Sequence, residues 1–332
     1  MSFKVIVLLL VFSTQLAPAQ YNTNEKKASF YFELTKKYEP DAYEILKSEV
    51  PERFLVYAGD GETAKSLIEN FETLVHETCH GYNFKIGIES GWNHNGYFIS
   101  DGCKIGSRKE DFFPSSVLNN VVPKEQQEKI FRYKTYVSGE SKNSASLEGV
   151  YGFVDEFAAY YHGTRAALEL LPYYETICPY TDAHCWVDEY LSQMQSTLYA
   201  YYEFRLFIAW YLMYAESHEQ KIFNQLMNNR NLRLAYTLLD IQFKKLVEDY
   251  FDTRTKIVNK LNASGNNVTV QEKFILITVG NSSSGIGIPD DDIVYLKGLF
   301  TSKENVMLER FQIKGADLSN FKKFLEEDKP RK

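Results

Sequence analysis

Five consecutive residues, His76-Glu77-Thr78-Cys79-His80, constrain this chain more than any other feature. Their pattern, H-E-x-x-H, has a chemical meaning only on an α-helix. There, side chains four residues apart project from one face, so His76 and His80 can offer two neutral ring nitrogens to one Zn²⁺. Glu77 lies one step round the helix, where a carboxylate can take a proton from a water held by the ion. The segment before the motif, residues 69–75, contains neither Pro nor Gly and carries apolar residues at helical intervals. It predicts a helix over 62–80, with Gly81 as its stop signal.

The chain opens with Lys4, an apolar run from Val5 to Phe12, and the small-residue end Ala17-Pro18-Ala19. This pattern predicts a secretory leader cut after Ala19, which removes residues 1–19 from the fold. The apolar run is too short to span a bilayer. The expected setting is secreted, periplasmic or extracellular, without stable membrane insertion. A net charge of -7 and the lack of any basic block argue against a nucleic-acid partner.

An exported chain with four cysteines can form disulfides. Cys178 and Cys185 bracket the loop P-Y-T-D-A-H and are expected to close it. Cys79 with Cys103 would tie the motif helix to a downstream loop; otherwise Cys79 packs as a buried thiol. Cys79 lies on the side of the helix away from Glu77, so it is not expected to be a ligand.

The rest of the chain reads as α+β and predominantly helical. Helical patterning covers 26–48, 147–171 and roughly 230–260. The residues 84–104 alternate apolar and polar around Asn-Gly and Ser-Gly, which predicts a β-hairpin or meander with His94 in a hairpin turn. Residues 186–222, dense in aromatics from Trp186 to Tyr214, predict a long core helix; their longest uncharged run is too short for a membrane span. A polar linker near 262–269 precedes two predicted strands, K-F-I-L-I-T-V-G and N-V-M-L-E-R-F-Q-I. A short helix near 316–327 follows. Residues 20–260 thus form a main domain, and 270–328 a small C-terminal α/β module or extension of it. Asn262, Asn267 and Asn281 stand in N-x-S/T sequons.

Two histidines do not complete a catalytic zinc site, which takes three protein ligands and leaves a fourth position open. His94, His184 and His218 do not extend the motif, because positions 83 and 86 are Asn and Ile. The helix over 147–171 offers Glu156 among Phe153, Val154, Phe157, Ala158 and Ala159. A carboxylate buried there is costly unless it is paired or binds a metal. Ala158 and Ala159 would let this helix approach the motif helix closely. Glu148, two turns earlier, is the rival third ligand.

Here the chain resembles the gluzincins, zinc peptidases whose third ligand is a Glu on a second helix within N-E-x-x-[SA]. This sequence has Asp155-Glu156-Phe157-Ala158-Ala159, a D-E-x-x-A variant. The resemblance implies a zincin-like catalytic domain in which His76, His80 and Glu156 hold Zn²⁺ and Glu77 is the general base. The implied activity is a secreted zinc metallopeptidase, an endopeptidase acting on a peptide or protein substrate. Two departures stand out. The gap from His80 to Glu156 is much longer than in thermolysin-like and aminopeptidase families. The position four residues after the Glu, often an Asp that orients a ligand histidine, is Tyr160. Asp155 is a candidate for that orienting role, and Tyr160 for an oxyanion donor, whereas His162 and Arg165 read as structural. No G-x-M-E-N-like signature precedes the motif, which weakens an exopeptidase. The alternatives are a zinc amidohydrolase acting on cell-wall peptides or acylated sugars, and a non-catalytic exported binding module.

Overall fold

The fold is described from a computed structural model, which covers residues 21–271 and 273–325. The expected leader and the charged end 326–332 lie outside these residues. In chain order the main elements are α1 (Asn24–Tyr38), α2 (Pro40–Lys47), α3 (Phe71–Ser90), β1 (His94–Ser100), β2 (Cys103–Arg108), α4 (Val150–Leu168), α5 (Ala200–His218) and α6 (Arg230–Ala263). They are followed by β3 (Val268–Val270), β4 (Phe274–Val279), β5 (Ser282–Gly287), α7 (Asp290–Leu299) and α8 (Ser302–Phe311). The protein is mostly helical, with an antiparallel β1–β2 hairpin and an antiparallel sheet in the order β3-β4-β5. No helix among the described residues is long and apolar enough to cross a membrane.

The motif helix α3 is the centre of the molecule. Phe71, Leu74, Val75, Cys79, Tyr82 and Ile86 recur at helical spacing, and all are buried. Full burial of each large apolar side chain in this set contributes about 1.5–3 kcal/mol. Gly81 does not stop the helix. Tyr82, Asn83, Ile86 and Gly87 carry the buried face for two further turns, and packing outweighs the weak helix preference of one glycine. The helix ends at Gly91, whose φ of 141° is closed to other residue types.

The hairpin consequently starts ten residues later than its expected start at 84. His94 is not in its turn but opens β1 opposite Arg108; the turn is Asp101-Gly102. β1 lies directly on α3. A Cβ on Gly87 would meet the His94 carbonyl oxygen at 2.6 Å, and one on Gly96 would meet that of Asn83 at 2.3 Å. These glycines allow backbone-to-backbone contact between helix and hairpin.

α4 packs along α3 on the other side. Its Ala158 and Ala159 are buried, and Gly163 stands directly against the Glu72 carbonyl and His76 Cβ of α3. Gly149, with φ of 58°, separates α4 from the short helix Ser144–Glu148, so the expected 147–171 helix begins later. It also ends earlier, and Pro172 occupies the first turn of another short helix, Leu171–Ile177.

Two expectations fail further along. The aromatic segment 186–222 is not one helix: Cys185–Tyr190 and Leu191–Met194 are wound as π and 3₁₀ turns, regular helix runs over α5, and a separate short helix, Gln220–Asn228, begins at its end. Trp186, Tyr190, Leu191 and Met194 are all fully buried. Apolar density thus marked burial here, which is indifferent to how the backbone is wound. The second predicted strand, 305–313, is instead helical, lying within α8 and the residues after it. Its start carries a capping box in which Thr301 and Glu304 satisfy each other's backbone N–H groups. The short helix expected near 316–327 is a single 3₁₀ turn, Phe321–Lys323. The 274–279 strand and the 230–263 helix stand as expected.

Cys178 and Cys185 form the expected disulfide. Cys79 and Cys103 do not pair; each is a buried free thiol. Cys103 opens β2 opposite Ser100, and Cys79 packs in the core beside α4.

Gly163 offers a direct test of the α3–α4 contact. Its Cβ would lie 2.8 Å from the Glu72 carbonyl oxygen and 3.2 Å from the His76 Cβ. Alanine gains about 1 kcal/mol in helix propensity, but overpacking against a backbone that cannot yield costs about 1–3 kcal/mol. Gly163→Ala should therefore lower Tm by a few degrees. Gly298→Ala in α7, where a Cβ meets nothing within 4 Å, should leave Tm unchanged or raise it. A stabilised Gly163→Ala in thermal denaturation would contradict the close approach.

Candidate metal centre

His76 and His80 project from α3 toward α4, and α4 returns Glu156 to meet them. His76 and Glu156 are buried and His80 is half-buried. The His80 Nε2 lies 3.3 Å from the His76 Nε2. The Glu156 Oε2 lies 3.5 Å from each of these nitrogens. That oxygen is buried and has no hydrogen-bond partner among the described residues, and the same holds for the His76 Nδ1. Three donors held about 2.0–2.1 Å from one tetrahedral ion sit about 3.3–3.4 Å apart. The observed triangle fits that spacing, so this group could hold a metal ion.

The electrostatics fit as well. Burial alone would raise the Glu156 carboxyl, but the attraction of both imidazoles outweighs it and holds the group at about 2. Burial opposes charge on His80, yet Asp155 and Glu156 outweigh it and hold the imidazole well above its ordinary value. A bound cation would take the place of that proton.

Asp155, adjacent in sequence to Glu156, reaches the other ring nitrogen of His80. Its Oδ2 accepts a hydrogen bond from the His80 Nδ1–H at 2.7 Å. This fixes the ring orientation and leaves the Nε2 lone pair facing Glu156 and His76. Asp155 is itself held by Asn83, whose Nδ2 donates to Oδ1 at 2.8 Å. The Asn83 Oδ1 in turn accepts the Phe98 backbone N–H at 2.7 Å. One chain of hydrogen bonds therefore joins β1, α3 and α4 behind His80. Asn83 played no part in the sequence reading beyond breaking the extended histidine pattern. A polar side chain three residues beyond His80, on a helix that continues past Gly81, was the available signal.

Glu77 is half-buried, and no hydrogen bond or ion pair among the described residues holds its carboxylate. Tyr160 packs edge-on against His76 with ring centroids 4.3 Å apart. Its hydroxyl lies 3.0 Å from that of Tyr136, a residue with no local motif to mark it. Arg132 lies over the Tyr160 ring at 4.2 Å and is locked by a buried ion pair with Glu203 at 2.8 Å. Burial raises the Tyr160 and Tyr136 hydroxyls above the ordinary tyrosine value, so both remain donors at neutral pH.

The other candidates lie apart from the triangle. Glu148 pairs with Lys109 at 3.1 Å instead of joining the histidines. His162 is buried, donates from Nε2 to the Phe98 carbonyl, and is depressed to about 4 chiefly by burial. Arg165 binds Glu39 and Asp41. His184 pairs with Asp188 at the surface, and His218 is exposed near the end of α5. Burial, then the charges of Asp155 and Glu156, push the Cys79 thiol well above its ordinary value, and its sulfur is not among the three donors that converge. Beside the triangle, a cleft of about 230 Å³ is bordered by His80, Phe84, His94, Glu148 and Asp155 among others.

Compared with known protein families, characterised proteins and solved structures, the chain matches none.

The Asp155 contact yields a prediction for metal affinity. Asp155→Asn should weaken zinc binding about ten- to a hundredfold. In the wild type, binding must expel a proton that Asp155 helps His80 to keep, so affinity should rise as pH increases. Without the Asp155 charge the His80 proton leaves more easily, and the midpoint of that pH dependence should move down. Competition titrations with a chromophoric chelator across pH check both effects. Equal affinity and an unmoved midpoint would show that Asp155 does not support His80.

Proposed function

We propose that the protein is a secreted zinc metallopeptidase with a zincin-like centre of the gluzincin kind, cutting peptide bonds within a chain. The observation that carries this reading is the triangle of His76 Nε2, His80 Nε2 and Glu156 Oε2, with sides of 3.3–3.5 Å, beside a carboxylate in the H-E-x-x-H position. Two imidazoles and one carboxylate are a donor set suited to zinc with one position open. Zinc held there supplies a Lewis acid and makes a water acidic near neutral pH.

The chain's own groups provide the remaining steps. Glu77, with no competing partner among the described residues, accepts the proton of the attacking water at a carboxylate oxygen and delivers it to the leaving amine nitrogen. Asp155 holds the proton on the His80 Nδ1 throughout, which keeps Nε2 available. The Tyr136–Tyr160 hydroxyl pair, kept protonated by burial, supplies an O–H for the oxyanion that develops on the scissile carbonyl. The Cys178–Cys185 disulfide is compatible with an oxidising, extracellular compartment. The free Glu77 speaks against a merely scaffolding role, because a binding module has no use for that carboxylate beside two histidines.

Three proteins and one peptide library test this. Zinc-loaded wild type should cleave peptides at internal bonds. Glu77→Gln should keep its zinc and lose about a hundredfold or more in kcat, the range expected for a general base. Glu156→Ala should lose zinc. Undiminished cleavage by Glu77→Gln would sink the mechanism, and full zinc retention by Glu156→Ala would sink the ligand set. Hydrolysis of N-acylated sugars with no peptide cleavage would replace the peptidase with an amidohydrolase.

A further inference from the structure

The two histidines of the triangle are not equally supported. His80 gives its Nδ1–H to Asp155, whereas the His76 Nδ1 is buried and meets no hydrogen-bond partner among the described residues. A neutral histidine that offers Nε2 to a metal carries its proton on Nδ1. It almost always donates that proton to a carboxylate, a carbonyl or a water. A donor left alone in the interior is costly. Tyr160 meets His76 ring to ring, and its hydroxyl is engaged with that of Tyr136. The two carboxylates of the D-E pair on α4 are also committed. Asp155 is bound to His80 and Asn83, and the Glu156 Oε2 faces Nε2.

The motif helix itself carries a further carboxylate beside His76. Glu72 stands four residues earlier on α3, so the two side chains are neighbours on one face. Gly163 of α4 marks the place where they meet. A Cβ there would lie 2.7 Å from the Glu72 Oε1 and 3.2 Å from the His76 Cβ. Those two atoms are therefore no farther apart than the two distances laid end to end, about 6 Å. Glycine at 163 leaves that space to the carboxylate. Glu72 is half-buried, and its side chain accepts one hydrogen bond among the described residues, to Oε2 from the Thr73 hydroxyl at 3.3 Å. Burial raises the Glu72 carboxyl above its ordinary value, and the charge of His76 is the strongest influence drawing it back.

We propose that Glu72 is the positioning residue of His76: with a metal ion in the triangle, its Oε1 accepts the His76 Nδ1–H in the space beside Gly163. This rests on the metal-centre reading and completes it. Asp155 of α4 then holds one histidine and Glu72 of α3 the other, so residues 72–80 act as a single E-x-x-x-H-E-x-x-H unit. The arrangement gives Gly163 a second role besides close packing, because any larger residue would push the carboxylate off its line to His76. It also accounts for a carboxylate kept where burial disfavours it.

Long-range nitrogen–proton correlation spectra of the zinc-loaded, histidine-labelled protein test this. The His76 Nδ1–H should be a downfield, slowly exchanging resonance in wild type. Glu72→Leu should broaden it or move it upfield and leave the His80 Nδ1–H in place; Asp155→Asn should do the reverse. Zinc affinity, read by chelator competition, should fall about ten- to a hundredfold in Glu72→Leu, and stay within about threefold of wild type in Glu72→Gln, whose amide oxygen still accepts. Without zinc, Glu72→Leu should melt no lower than wild type, because it removes a carboxylate that burial disfavours; a merely structural Glu72 would lower Tm with and without the metal. An unmoved His76 resonance with undiminished zinc affinity in Glu72→Leu overturns the proposal. So does an equal loss of affinity in Glu72→Gln and Glu72→Leu. A wild type that holds zinc and shows the His76 hydrogen bond but cleaves no peptide supports the proposal and counts against the peptidase reading alone.

Discussion

A buried carboxylate facing two imidazoles is the contact on which the rest of this structure depends. Removing a carboxylate from water costs several kcal/mol unless its oxygens find partners. Glu156 is buried and its Oε2 accepts no hydrogen bond from the described residues, yet it sits 3.5 Å from two ring nitrogens. The two imidazoles offset that cost, and together with the carboxylate they make a sensible cation site. The fold supplies the conditions for it. Gly163 lets the α4 backbone reach the α3 backbone.

The centre is also held from behind. Asp155 fixes His80, Asn83 fixes Asp155, and the Phe98 N–H fixes Asn83. The glycine pair Gly87 and Gly96 brings β1 close enough for this to happen. On the other flank, Arg132 and Glu203 form a buried ion pair beneath Tyr160, which rests on His76. Both histidines are thus oriented by groups on rigid helices or strands, which is what a site needs to keep its donors within a few tenths of an ångström.

Much of this was legible in the sequence, and the failures have physical causes. The helix under H-E-x-x-H, the buried Glu156, the Cys178–Cys185 loop and the long 230–263 helix were written in local spacing. Asp155 could be suspected as a support but not placed, because its partner lies 75 residues away. Asn83 and Tyr136 were illegible for the same reason: a polar residue's role is set by what tertiary packing brings to it. Gly81 misled because a single glycine is a weak stop when the buried face continues. The 305–313 segment misled because its short apolar run Val306-Met307-Leu308 also suits a strand, whereas the capping box at Thr301 and Glu304 starts a helix there. The break in 186–222 had no local marker, since fully buried residues leave no polar face from which to read a period.

X-ray absorption at the zinc edge of the zinc-loaded protein tests the central claim most directly. The account predicts four-coordinate zinc with nitrogen and oxygen neighbours at about 2.0–2.1 Å, two of them imidazoles, and no sulfur. A sulfur shell at about 2.3 Å, which would bring in Cys79 or Cys103, or a protein that retains no zinc at all, would contradict it.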